Sequence, residues 1–439
     1  MFLRKLLSVM VLVAVGLVSN GSAQTENGNL KEQLLQVFHP YSQGSPKVDG
    51  IMPGMKLTKD NFQVAEKVLP PELLRVVQAG DMEMTVQDTS DFPLHEDYIA
   101  ASIEHFGQPE IGENGDLKNY TNGLSFPLLD PSDPQVGIKA AWNFRHRFLG
   151  FSIQTRGTLR SVNNSGTVER GVETRYARLY GMYRVGANGN VPEWEQEGTW
   201  WREHSIVLRP QDLEGAQQLT FHPAADTATN SAWAYDPQTR RTRDVVDNHL
   251  ETSFGLNFLV EDHSGFNGYI REHSWQYVGE QVLLVPGILH GTAPTLGGKN
   301  NWYLSVPWEL RKMIILDAAP KNPSHPYGKR RFYLDRQTFS AFYVLVYDHE
   351  GKHWRTLFHC FGDPTFDPKN AKAGAPLHMG NIWVDYKSNL ASVWTADEIL
   401  ISQSLSPQMF TVTRLLCFGA EADLGPGIVD DVGFLQAEW

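Results

Sequence analysis

The stretch from 329 to 361, KRRFYLDRQTFSAFYVLVYDHEGKHWRTLFHCF, constrains the fold more than any other part of this chain. It reads as three strands rich in aromatic and β-branched residues, split by two acidic turns. Asp335-Arg336-Gln337-Thr338 is the first turn and Asp348-His349-Glu350-Gly351 the second. Asp suits the first position of a type I turn because its carboxylate accepts N–H bonds two residues on, and Gly suits the last. Strands joined this tightly form an antiparallel meander. The same grammar recurs at Tyr235-Asp236-Pro237-Gln238-Thr239 and at Asp385-Tyr386-Lys387-Ser388, so a large antiparallel sheet is expected.

The N-terminus predicts a secreted protein. Arg4 and Lys5 precede an apolar run from 6 to 18, and Gly21-Ser22-Ala23 is a small-residue cleavage pattern. Residues 1–23 therefore read as a signal peptide, giving a soluble periplasmic location with outer-membrane association as an option. The net charge is −12, and losing the two positive charges of Arg4 and Lys5 leaves −14. That balance argues against nucleic-acid partners and against docking on anionic membranes. Two cysteines, Cys360 and Cys417, are too few for a thiolate metal site; they form either one disulfide or two buried thiols.

Residues 24–50 read as a mobile lead-in, and 51–120 as helical and strand segments packing on a sheet domain at 121–439. Helical patterns run over 58–69, 72–79 and 97–106, and 395–405 reads as one late helix. Residues 82–89 alternate like a strand. Further strands are expected at 149–155, 176–185, 200–208, 218–222, 231–235, 275–285, 302–310, 314–316, 382–385 and 410–418. Short strands with few long helices point to a sandwich or a barrel, whole or partial.

Chemical motifs are sparse. His349, His353 and His359 cluster on the meander, but strand alternation does not turn all three to one face. No Gly-x-Ser-x-Gly elbow, His-Glu-x-x-His helix or phosphate-binding glycine loop occurs. The reading is accordingly a non-enzyme with no catalytic residue, cofactor or metal. Arg240, Arg241 and Arg243 follow the Asp236 turn; they serve either as a head-group site for a carboxylate or phosphate, or as charges defending a sheet edge. Trp142, Trp233, Tyr235, Phe266, Trp275, Trp302, Trp308, Tyr333 and Phe342 fall in or beside the expected strands. They line an apolar ligand site or fill the core of a large β domain.

Several blocks resemble the bacterial domain-of-unknown-function family 1329. Asn122-Gly123-Leu124-Ser125-Phe126-Pro127 precedes Ala141-Trp142-Asn143, and Ala232-Trp233-Ala234-Tyr235-Asp236-Pro237 follows later. Then come Phe266-Asn267-Gly268, Val306-Pro307-Trp308-Glu309-Leu310-Arg311 and Lys329-Arg330-Arg331-Phe332-Tyr333-Leu334-Asp335. The resemblance implies a mainly β (α+β) fold like the LolA/LolB lipoprotein carriers: a large antiparallel, incompletely closed half-barrel with a few short covering helices. It also implies a carrier or adaptor for a lipid or other hydrophobic small molecule. The implied partner is an efflux-type inner-membrane transporter or an outer-membrane protein. An envelope interaction module without a small ligand, or a lipid- or ester-acting enzyme, are the other readings.

Overall fold

The computed structural model describes residues 29–186, 189–246 and 248–417, with side chains to 415. The expected signal peptide at 1–23 lies outside the described residues.

In chain order, helix α1 covers 29–38, followed by β1 (Lys56–Leu57), α2 (Pro71–Gln78), β2 (Met84–Gln87) and α3 (Glu96–Glu104). A small hairpin, β3 (Glu110–Ile111) and β4 (Leu117–Lys118), leads to α4 (Val136–Arg145). Next come β5 (Ser152–Val162), β6 (Val168–Tyr180), α5 (Pro192–Gln196), β7 (Thr199–Arg209), β8 (Gln217–Pro223), β9 (Ser231–Asp236) and β10 (Arg241–Val245). The rest is β11 (His273–Pro286), β12 (Leu296–Gly297), β13 (Tyr303–Leu304), β14 (Pro307–Pro320), β15 (Lys329–Asp335), β16 (Ala341–Tyr347), β17 (His353–Gly362), β18 (Leu377–Asp385), β19 (Leu390–Ile401) and α6 (Val412–Cys417).

Two meanders make one sheet. The later one, β14 to β19, is joined to the earlier one, β5 to β10, by pairing of β19 with β5. The path runs from β10 at one end to β1 at the other, with β11 pairing β14 beside it, and the two ends do not pair, so the sheet stays open. One pairing is parallel, β2 with the first residues of β14. The chain is thus mostly β with few helices, in a large mixed sheet not closed into a barrel.

The four turn signals act through the chemistry expected of them. The Asp335 carboxylate accepts from the Thr338 N–H and hydroxyl, each at 2.9 Å. Asp348 accepts from the amides of Glu350 and Lys352, Asp236 from those of Gln238 and Thr239, and Asp385 from those of Lys387 and Ser388.

The two meanders are covered unequally. All seven residues of β16 are buried, as are the last eight of β17, so these strands have cover on both faces. β6, β9 and β10 remain half-exposed or exposed over most of their length. Helix α4 lies on β11 closely enough that a Cβ at Gly137 would stand 2.4 Å from the Trp275 carbonyl oxygen.

Several expectations are corrected. Residues 395–405 are not a helix but mostly the end of β19, because β5 supplies a ladder partner that spacing alone does not reveal. The predicted strand at 410–418 begins as a 3₁₀ turn and α6, with Phe418 outside the described residues. The first helix expected at 58–69 shrinks to a 3₁₀ turn at Phe62–Ala65. Part of the lead-in, 29–50, is tied down: Tyr41 donates to Asp335 at 2.9 Å and accepts from the Lys312 amide.

Three buried meander arginines carry ion pairs here, two of them within the sheet and one, Arg330, to a covering segment. Arg311 pairs with Asp335 at 2.9 Å and Glu309 at 2.8 Å. Arg330 pairs with Glu261 at 2.6 Å and Asp262 at 3.2 Å, and Arg355 with Asp385 at 2.8 Å. Removing one partner of a fully buried pair strands the other charge. Arg330→Met is therefore expected to lower unfolding free energy by about 3–5 kcal/mol in urea titrations. Adding Glu261→Gln should recover part of that loss.

Candidate functional site

Two places gather polar side chains. The first is fully buried beneath β15. Glu261, His273 and His325 hold their ligand-type atoms within 4.8 Å of one another. This is a metal-like set that the sequence reading, which named no metal, did not single out. The hydrogen bonds favour a structural role. The Tyr327 amide donates to His325 Nδ1 at 2.9 Å, so the neutral ring carries its proton on Nε2 and directs it to Glu261 Oε2 at 2.8 Å. Arg330 sits 2.6 Å from the same oxygen and already supplies the positive charge. Its guanidinium and the two histidines hold the Glu261 carboxyl well below the usual range despite its burial.

The histidines of the meander are likewise engaged. His349 bonds the His325 carbonyl at 2.7 Å, and His353 bonds the Arg355 carbonyl at 3.0 Å. His359 bonds Asn381 at 2.6 Å.

The second place is a cleft where α3, the end of α4 and the ends of β6 and β7 meet. Its walls include Tyr98, Tyr120, His146, Arg147, Phe148 and Trp200, and it encloses about 40 Å³. Tyr98 comes from α3, and Gly123 lets the adjoining loop reach that helix: its φ is +81°, and a Cβ there would stand 2.6 Å from the Ser102 nitrogen. His146 ends α4, its amide donating to the Trp142 carbonyl at 2.8 Å. Its ring stacks on Trp200 at 4.3 Å and meets Tyr120 edge-on at 4.3 Å. Tyr183 closes against Tyr120 at 4.9 Å, and Phe148 stacks on Tyr98 at 5.1 Å.

The electrostatics of the cleft follow from burial. Burial holds the His146 imidazole well below its usual pKa, with Arg145 adding to the effect, so the ring is neutral. Burial lowers the Arg147 guanidinium to about 10 and also lowers that of Arg184.

The nine aromatic residues expected to line a ligand site are spread through the core. Trp142 lies on α4, not a strand, and donates to the Gly115 carbonyl at 2.9 Å. Phe266 and Trp275 pack together with Phe332 beside α4. Trp308 meets Phe358, Tyr333 meets Tyr343 and Phe342 meets Phe361 inside the later meander. Trp302 donates to the Asn163 carbonyl at 3.1 Å. Trp233 and Tyr235 belong to a separate small core with Trp194 and Phe410. None of the nine lines the cleft.

Arg240, Arg241 and Arg243 are exposed on the hairpin that carries edge strand β10, with Arg243 3.8 Å from Asp236. Cys360 is a fully buried free thiol whose pKa burial raises; the Cys417 side chain lies outside the described residues. The cleft residues were missed because they come from five separated segments. The local signal was His146-Arg147-Phe148-Leu149-Gly150-Phe151 and Met182-Tyr183-Arg184, arginines set among aromatics.

A family model described as a protein of unknown function matches residues 56–408. The chain belongs to the DUF1329 family. An uncharacterized protein of Pseudomonas aeruginosa is 23% identical to this DUF1329 chain over 368 residues, covering 77% of this chain and 73% of that one. A DUF1329 protein from Desulfovibrio piger is 15% identical with a TM-score of 0.45, covering 65% of this chain and all of that one. A LolA superfamily protein from Nitrosomonas europaea is 13% identical with a TM-score of 0.37, covering 62% of this chain and 94% of that one. No helix among the described residues of this DUF1329 chain is long and apolar enough to cross a membrane, which says nothing of strands.

The buried histidines predict an acid limit. Burial lowers His359 to about 4, against about 6.5 in an unfolded chain. The unfolded chain takes up a proton between pH 6.5 and 4 that the native protein refuses, so stability falls as pH drops through that window. His378, lowered first by burial and then by His359, acts in the same direction. Urea midpoints measured from pH 7.5 to 4 should fall, and His359→Gln should flatten the slope.

Proposed function

We propose that this protein is a periplasmic carrier or adaptor for a hydrophobic or amphipathic molecule, and that the cleft is its binding site. The observation that supports this most is an aromatic-walled cleft at the mouth of an open, unequally covered sheet. Burying a 16-carbon chain gains about 0.8 kcal/mol per methylene, on the order of 12 kcal/mol, against association costs of about 4–15 kcal/mol. Affinity is then moderate, as handing cargo to a membrane transporter or outer-membrane protein requires.

Ligand pockets typically hold about 300–1,000 Å³, so the cleft as described is a closed state. On this reading, the segments at 146–151 and 181–186 part to admit the apolar chain. Both lie outside the strands proper, with ring contacts along their length and backbone bonds to strand neighbours at Phe151, Gly181 and Met182.

A second reading, an envelope interaction module with no small ligand, draws on the later meander, whose interior is filled by the protein's own aromatics.

The test is native mass spectrometry and lipid extraction of protein purified from its own periplasm, with titration of a fluorescent fatty-acid probe. The carrier reading expects a co-purifying hydrophobe and probe binding weakened about tenfold or more by Trp200→Ala, the loss of one buried aromatic contact. Protein that is empty and binds no probe would overturn it in favour of the interaction module.

A further inference from the structure

The cleft is short of negative charge. Three arginines on the neighbouring elements have carboxylate partners: Arg178 pairs with Glu203 at 2.8 Å, Arg145 with Asp226 at 3.9 Å, and Arg202 with Glu197. Arg147 and Arg184, which line the cleft, make no ion pair among the described residues. The acid of α3 that approaches this region, Asp97, lies against Gly186 and His95 instead.

Arg147 gives two of its guanidinium nitrogens to carbonyls, of Phe144 at 2.5 Å and Ser264 at 3.2 Å. Its Nε, the Nε of Arg184 and Nδ1 of His146 are all buried with no hydrogen-bond partner. His146 as a whole is only 6% exposed. Buried guanidinium donors left in this state, as in Arg147 and Arg184, are costly unless an anion completes them.

The size agrees. The volume of about 40 Å³ equals roughly three water-sized groups, which suits a carboxylate or phosphate and not an acyl chain.

We propose that Arg147 and Arg184 receive the anionic head group, a carboxylate or phosphate, of the carried amphiphile. The assignment rests on the carrier reading for the ligand's apolar part. His146 adds a polar contact at the cleft floor, and Tyr98, Phe148 and Trp200 hold the first atoms of the apolar chain. The geometry moves head-group recognition from the exposed Arg240–Arg243 hairpin to this cleft.

The experiment compares a fluorescent long-chain fatty acid with its methyl ester on the full mature protein, and titrates inorganic phosphate by calorimetry. Wild type should prefer the acid by roughly ten- to hundredfold, the worth of one charge-assisted hydrogen bond. Arg147→Gln and Arg184→Gln should each bring that ratio toward one, Arg147→Lys should retain part of it, and a variant with glutamine at 240, 241 and 243 should keep it whole. Thermal melting checks each fold; Arg184→Gln, whose guanidinium holds no carbonyl, covers the case in which Arg147→Gln unfolds.

Equal binding of acid and ester by wild type, or a ratio that survives in Arg147→Gln and Arg184→Gln, overturns the head-group site and leaves the carrier reading standing. Binding of neither probe overturns the carrier reading. In that case phosphate binding lost in Arg184→Gln identifies a site for the free anion, and no phosphate binding overturns the anion site as well.

Discussion

Three arginines inside a β meander are the constraint on which this structure depends. Arg311, Arg330 and Arg355 are buried charges on strands of the later meander, and each must meet a carboxylate before the strand can be buried. Arg311 draws in Asp335, Glu309, the Ser90 carbonyl and the ring of Tyr41. Arg330 draws in Glu261 and Asp262 from a segment more than sixty residues earlier in the chain. Arg355 draws in Asp385, with Tyr327 beside it. Segments with little regular structure of their own are thereby fixed over the sheet, and their apolar side chains complete its core.

The consequence is a division of labour within one sheet. The meander from β14 to β19 is covered on both sides along β16 and β17, with Trp308 and Trp383 fully buried. The meander from β5 to β10 is thinner, and its strands carry ion pairs such as Arg178–Glu203 on a half-exposed face. The aromatic cleft lies where the covering helices α3 and α4 reach this less covered half. A rigid frame beside a loosely held rim is what a reversible binding site needs, since the rim can move without disturbing the frame.

What could be read in the residues was local. Asp335, Asp348, Asp236 and Asp385 each announce a turn because a carboxylate two or three residues from an amide needs nothing else to bond it. Pro71 and the apolar spacing after it announce α2 for the same reason. The segment at 395–405 shows the limit: its apolar spacing fits a helix, and only the presence of β5 on its flank makes it a strand. Trp142 shows another: it lies on a helix that carries Gly137 and Asn143, and its indole serves a loop carbonyl.

The sequence by itself determined the meander, its turns, the family and the acidic surface, because each depends on residues close in the chain or on composition. Tertiary structure alone decided which aromatics are core and which line a cleft, and which arginines are paired. Arg147, Arg184 and Arg330 look alike as residues. Their difference is that carboxylates from distant segments arrive beside Arg330 and not beside the other two, and long-range chain packing is what brings a counter-charge within about 4 Å.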